Sequence, residues 1–222
     1  MTAYIFTGGR IFADSIDELG LEITGDALLI AADSGYNNAC RLGVKPDLLL
    51  GDLDSLDRTL LAPHELDRME KIIVPAIKDD TDTQLAVDTA LERGADNIVI
   101  IGGLGGRLDH TLSTVFLLEY IDDKKVGAMI TDGKNRVRLM RAYGDAVSLS
   151  IPRGFKYLSL VPLTDSCLNV SVSGVFYPLD NAVLERRYSY AVSNEITSDH
   201  ADISLGKGTM LVIESGDKQF FP

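Results

Sequence analysis

A chain of 222 residues is long enough for one large domain or two small ones, each with a true hydrophobic core. Hydrophobic residues at 45% and charged ones at 24% are ordinary globular values, which argues against extensive disorder. The formal net charge of -12 argues against nucleic acid as a partner, because a polyanion is held by Lys and Arg, and it suits a cationic small molecule.

Short β-prone runs recur along the first half, at 3–7, 28–32, 48–50, 71–74, 97–101 and 126–131. They are apolar throughout rather than alternating, the pattern of strands covered on both faces. Between them, 81–93 carries Leu85, Ala86, Ala90 and Leu91 at helical spacing, ends at Gly94 and opens with a possible capping box of Thr81 and Gln84. A second helix is predicted over 109–120, with Leu112, Val115, Phe116 and Leu118 available to bury. This βαβ alternation predicts an α/β domain with a parallel sheet wrapped by helices. After about Gly133 the texture changes: short alternating or β-branched runs at 137–140, 146–151, 157–162, 169–175 and 209–213 are separated by Gly, Pro, Asp and Asn. The spacing predicts a C-terminal all-β sandwich or barrel, so the domains are expected at 1–133 and 134–222.

Two cysteines, Cys40 and Cys167, lie far apart without metal-ligand spacing and read as reduced, packed thiols. The amino terminus lacks a basic n-region, and no apolar run reaches the roughly 18 residues a membrane span needs. The expectation is a cytoplasmic protein with no membrane partner.

The polar motifs fall at predicted strand ends. Asp33-Ser34-Gly35 follows the second strand, Gly51-Asp52-Leu53-Asp54-Ser55 the third, Lys78-Asp79-Asp80-Thr81-Asp82 the fourth, and Gly102-Gly103-Leu104-Gly105-Gly106-Arg107 the fifth. In an open parallel sheet these ends share one edge, where ligands bind near the topological switch point. Clustered carboxylates repel unless a cation sits among them, and Mg²⁺ is usually held by one or two carboxylates plus nucleotide phosphates. Asp52 and Asp54, at i and i+2 on an extended segment, project to one face roughly 7 Å apart, a span one cation bridges. The pattern points to metal-assisted phosphate chemistry.

Plainer readings exist. Asp33, Thr81 and Asp109 are candidates for helix N-caps, and Asp82 for an acid at the positive end of a helix dipole. The glycine run does not follow G-x-G-x-x-G, but a loop opening a helix offers backbone N–H groups to phosphate, with Arg107 beside it. Gly206-Lys207-Gly208-Thr209 reads as a hairpin turn.

Together, Ala32-Asp33-Ser34-Gly35, Gly51-Asp52-Leu53-Asp54-Ser55, Lys78-Asp79-Asp80-Thr81-Asp82 and Gly106-Arg107-Leu108-Asp109-His110 resemble thiamine pyrophosphokinase in order and approximate spacing across the first domain. In the second, Gly174-Val175-Phe176-Tyr177-Pro178-Leu179 and Ser193-Asn194-Glu195 look like that family's thiamine-side segments. The resemblance implies an α/β nucleotide domain, a β-rich domain for thiamine binding and dimerisation, Mg²⁺, and a homodimer with sites near the subunit interface. Thiamine's primary alcohol would attack the β-phosphorus of ATP, giving thiamine diphosphate and AMP, a transfer that depends on positioning and charge stabilisation. Asp52, Asp54 and Asp82 are then the Mg²⁺ ligands, with Asp33 and Asp79 as nearby acids. Lys78, Gly103, Gly105, Gly106, Arg107, Asp109 and His110 serve ATP, and Ser171, Tyr177, Ser193 and Asn194 serve thiamine. An aromatic ring at Tyr177, where eukaryotic relatives often place Trp, suits the fixed positive charge of thiazolium.

Two other classes use similar residues. A metal-dependent phosphatase of the haloacid dehalogenase type carries Asp-x-Asp after an apolar strand, with the first Asp as nucleophile. Here Ser55-Leu56 follows where x-Thr or x-Val is expected, and no clear acidic pair follows a later strand. A nucleotide or thiamine sensor would keep the pocket without turnover.

Overall fold

Apolar runs too continuous for half-exposed strands form the buried parallel sheet of the first half of the chain. The computed structural model describes residues 1–51, 69–73 and 81–218, and the chain divides into two units, Met1–Gly133 and Lys134–Pro222. The first holds β1 (Thr2–Phe6), β2 (Leu28–Ala32), β3 (Leu48–Gly51), β4 (Glu70–Ile73), β5 (Asn97–Ile101) and β6 (Gly127–Thr131), with helices α1 (Gly35–Arg41), α2 (Asp82–Glu92) and α3 (Leu108–Asp123). The strands pair in parallel in the order β4-β3-β2-β1-β5-β6.

Tyr4, Phe6, Val99 and Ile101 pack with Ala39 of α1 and with Leu42, which caps its carboxyl end. Ile5, Ile98 and Ile100, which alternate with them along the strands, are equally buried. Both faces are therefore covered, and each fully buried side chain of this size is worth about 1.5–3 kcal/mol. From β1 the chain winds outward to β4, then returns past β1 to β5 and β6. The winding direction reverses between β1 and β5, which makes their carboxyl ends the switch point.

The helix starts differ in part from the sequence expectation. Thr81 does cap α2, its Oγ1 accepting the Gln84 N–H at 3.1 Å, but the Gln84 side chain donates to Asp88 instead of closing the box. Asp33 is not a cap: Ser34 holds that position on α1, and Asp33 takes a left-handed φ of 51°. Nor is Asp109, which lies in the first turn of α3 behind Arg107 at the N-cap. Helix α3 runs past residue 120 because Ile121 continues its buried face. No span was predicted for helix α1, although the reading of Asp33 as an N-cap implies a helix at this place.

The second unit contains β7 (Asn135–Ala142), β8 (Val147–Pro152), β9 (Phe155–Pro162), β10 (Ser166–Ser173), β11 (Leu179–Glu185), β12 (His200–Leu205) and β13 (Gly208–Lys218). They pair antiparallel as β7-β13-β9 and β11-β10-β12-β8. One core takes Leu160, Met210 and Val212 from the first sheet and Val172, Ile203 and Leu205 from the second, so this unit is a sandwich. Strands β11 and β12 are additional to those expected. Gly206-Lys207 links β12 in one sheet to β13 in the other and is therefore not a hairpin turn. Strand β10 stops at Ser173 because Gly174 turns with φ +74°, so tightly packed that a Cβ there would lie 2.1 Å from the His200 carbonyl oxygen. Both cysteines are free thiols, and among the described residues no helix is long and apolar enough to cross a membrane.

Candidate active site

Four loops at the carboxyl edge of the parallel sheet line one cleft of about 390 Å³. Asp33 comes from the β2–α1 turn, Asp82 from the start of α2, and Gly103, Gly105, Gly106, Arg107 and His110 from the β5–α3 turn. Residues from three of the four motifs expected at one site are thus brought together. Asp52, Asp54, Lys78 and Asp79 lie outside the described residues. Gly51, bonded to Asp52, packs against Asp33, where a Cβ at residue 51 would lie 3.2 Å from the Asp33 Cα.

The fourth loop, Thr7-Gly8-Gly9 after β1, was not singled out in the sequence. Thr7 donates its N–H to the Ile101 carbonyl at 2.9 Å, and Asn38 Nδ2 donates to the carbonyls of Thr7 and Gly9 at 2.6 and 2.8 Å. A Cβ on Gly9 would lie 1.9 Å from the Gly102 carbonyl oxygen, so only glycine lets the loops after β1 and β5 approach this closely. The available sequence signal was position, since a glycine pair directly after the first strand falls at the switch point of such a sheet. Asn38 carried no comparable signal.

Arg107 brings a cation to the mouth of α3. Its Nε and Nη2 donate to the two carboxylate oxygens of Asp109 at 3.1 and 2.6 Å, and Asp109 also accepts the His110 N–H at 3.0 Å. The Arg107 hydrogen bond is the main reason the Asp109 carboxyl is lowered to about 2, and the same contact raises the Arg107 guanidinium. Both side chains are well exposed, and such pairs contribute little to stability, so the pair serves to orient the guanidinium. Asp109 itself lines a neighbouring hollow with Gln84 and Phe116, and reaches the cleft through Arg107. The N-cap offers no side-chain acceptor, so the positive end of α3 opens beside Gly105 and Gly106, an arrangement suited to phosphate.

Asp33 and Asp82 give the cleft hard oxygen donors. Among the described residues, no three His, Cys, Asp or Glu side chains are close enough to hold an ion by themselves. A metal site here must include further acids or ligand oxygens, and an all-oxygen donor set suits a hard divalent cation.

In the second unit, Tyr177 and Asn194 line a cleft of about 450 Å³ with Phe176, Leu179, Tyr190 and Val192. Asn194 Oδ1 accepts the N–H groups of Tyr177 and Glu195, each at 3.0 Å, while its Nδ2 donates to the Tyr177 carbonyl at 2.8 Å. Its amide therefore fixes the backbone that carries the Tyr177 ring. Ser193, at φ 62°, is tied to β9 by its N–H, which donates to Ser159 Oγ at 3.0 Å. Ser171 is not brought to Tyr177. It faces a separate hollow with Ser150 and Asp202, and its Oγ accepts the Asn181 N–H at 3.0 Å. The alternation of β10 turns Ser171 away from the core, toward the outer face of its sheet.

A family model described as thiamin pyrophosphokinase, catalytic domain, matches residues 21–130, and one described as thiamin pyrophosphokinase, vitamin B1 binding domain, matches 147–210. The chain is 29% identical over 195 residues to the thiamine pyrophosphokinase of Bacillus subtilis, covering 86% of this chain and 88% of the relative. It is 26% identical to thiamin pyrophosphokinase 1 of Caenorhabditis elegans, covering 76% and 70%. The crystal structure of the Bacillus subtilis thiamine pyrophosphokinase superposes with a TM-score of 0.82 at 26% identity, covering 98% of this chain and all of that one. The thiamin pyrophosphokinase of Geobacillus thermodenitrificans gives 0.81 at 26% identity, covering 98% of each.

Proposed function

This chain belongs to the thiamin pyrophosphokinase family and is an enzyme that transfers the pyrophosphoryl group of ATP to the hydroxyl of thiamine; we propose that the cleft at the carboxyl edge of its parallel sheet holds the reacting phosphates. The observation that carries this placement is the convergence of Asp33, Asp82 and the Gly103–Arg107 loop on one cleft. Backbone N–H groups of the two glycine loops and the positive end of α3 face the phosphate oxygens, and Arg107, oriented by Asp109, offsets their charge. Lys78 adds a second cation.

The thiamine hydroxyl oxygen forms a bond to the β-phosphorus, and the bond from that phosphorus to the oxygen bridging the α-phosphate breaks. AMP departs with the bridging oxygen, and the hydroxyl proton passes to a carboxylate or through water ordered by one. Asp33 and Asp79 are the acids assigned to that task. Little covalent work falls to the protein in such a transfer, so orientation and charge complementarity carry most of the rate. Asp82, with Asp52 and Asp54, would hold Mg²⁺. When bound, the ion neutralises charge building on the phosphate oxygens.

Thiamine binds at the Tyr177 cleft, where a ring face meets the thiazolium cation. The enzyme acts in the cytoplasm as a homodimer, a reading supported by the free thiols and by the resemblance in motifs. The phosphatase and sensor readings are not favoured by either family match. The test is product analysis with ATP, thiamine and Mg²⁺, each omitted in turn. AMP should form only when all three are present. Formation of ADP, or release of orthophosphate without thiamine, would overturn the proposal.

A further inference from the structure

We propose that Tyr190, together with Tyr177, forms the aromatic surface that selects the thiazolium cation; this rests on the reading of the Tyr177 cleft as the thiamine site. Both rings line that cleft, and both side chains are 66% exposed. Three other exposed aromatics of this chain, Phe12, Tyr143 and Tyr188, already carry a cation, whereas Phe176, which lines the same cleft, carries none among the described residues. The Arg10 guanidinium stands 4.5 Å from the Phe12 ring centroid, Arg141 5.4 Å from that of Tyr143, and Arg187 5.0 Å from that of Tyr188. Among the described residues no guanidinium or ammonium stands over Tyr177 or Tyr190. Tyr188 and Tyr190 are two residues apart, yet only the one outside the cleft is covered.

Among the described residues, no Lys, Arg, Asp or Glu lines the cleft. A cation entering it is drawn by the negative faces of the rings rather than by a carboxylate, and such attraction strengthens as water is displaced. The mounting is firm. The Leu160 N–H donates to the Ala191 carbonyl at 2.8 Å, and Leu158 and Asn194 exchange backbone bonds at 2.8 and 3.0 Å, which straps the Tyr190–Asn194 segment to β9. The Asn194 side chain then joins that segment to the Tyr177 backbone. Rings held in advance lose little freedom when a ligand arrives. The volume of about 450 Å³ suits one small two-ring molecule, and thiamine presents a thiazolium and a flat aminopyrimidine.

The test compares the parent chain with Tyr190→Ala, Tyr190→Leu and Tyr190→Phe, measuring kcat, the KM for thiamine and the KM for ATP. Inhibition by a neutral isostere, with thiophene in place of thiazolium, is measured on each. Tyr190→Ala and Tyr190→Leu should raise the thiamine KM about tenfold, leaving kcat and the ATP KM within about twofold, and Tyr190→Phe should stay within about threefold of the parent. The parent's preference for the charged ligand over the neutral one should shrink about tenfold in Tyr190→Leu. An unchanged thiamine KM in both Ala and Leu variants overturns the inference, as does equal weakening of charged and neutral ligands, or a parallel rise in the ATP KM. A parent that makes no AMP from ATP and thiamine refutes the functional reading and this inference with it. An active parent with unaffected variants refutes the inference alone.

Discussion

Gly9→Ala tests whether the phosphate cleft depends on the close approach of the loops after β1 and β5. The added Cβ would lie 1.9 Å from the Gly102 carbonyl oxygen and 3.0 Å from its carbonyl carbon, while ordinary contact begins near 3.4 Å, so the loops must part by about 1.5 Å. The obstacle is backbone and cannot rotate away. Gly102 is anchored by its N–H on the Thr131 carbonyl at 2.9 Å, and the Gly9 carbonyl by Asn38 at 2.8 Å. Overpacking of this kind costs about 1–3 kcal/mol. A misplacement of about 1 Å in a positioning element can cost about a hundredfold in rate. Urea unfolding should show a stability loss in that range, and kcat/KM for ATP should fall at least about tenfold. Gly25→Ala is the control, because nothing lies within 4 Å of its added Cβ. It should leave activity unchanged and add about 0.4–1 kcal/mol by restricting the unfolded chain. Parental stability and parental ATP kinetics in Gly9→Ala would refute the reasoning.

Asp54→Asn preserves shape but removes one proposed metal-binding charge, so turnover should fall at least about a hundredfold while the fold survives; activity within threefold of the parent would show that Asp54 is not a ligand. Asn194→Ala removes the clamp on the Tyr177 backbone and should raise the thiamine KM about fivefold without moving the ATP KM, as steady-state kinetics will show. The Asp109 carboxyl, lowered from 3.8 to about 2 chiefly by its hydrogen bond from Arg107, should titrate near 2 by carbon-detected NMR, and Arg107→Gln should return it toward 3.8. Because its folded pKa is depressed, its stabilising contribution is present above about pH 4 and is lost as pH falls through about 2. The Arg107–Asp109 pair should therefore stay charged at ordinary assay pH, which lies well above the Asp109 pKa of about 2.

Much of the site was legible because strand ends in a parallel sheet share an edge. The runs at 28–32 and 97–101 announce buried strands by their unbroken apolar character, and the acids and glycines that follow them then fall together. Thr7-Gly8-Gly9 escaped notice because a glycine pair without charge has no chemical signature of its own. The span of helix α1 escaped because Gly35, Asn37 and Asn38 are poor helix formers, and the stability of this helix comes from packing Tyr36 and Ala39. Strand β11 was hidden by Asp180-Asn181, which read as turn residues, and Asn181 does adopt a left-handed φ of 47° within the strand. Strand β12 was readable in principle: Ala201, Ile203 and Leu205 alternate inward at period two. Ser171 was misplaced because the motifs nearby do not reveal which sheet face a side chain takes. Tyr190 could not be told from Tyr188 by residue type, since the difference lies in which ring a cation covers.

The most direct measurement of the central claim follows the terminal phosphate. With γ-³²P-ATP, thiamine and Mg²⁺, the label should appear in the terminal phosphate of thiamine diphosphate, with one AMP formed for each product molecule. That outcome requires the β- and γ-phosphates to move as one group, as attack at the β-phosphorus demands. Label in thiamine monophosphate with ADP as the partner product, or label released as orthophosphate, would contradict it.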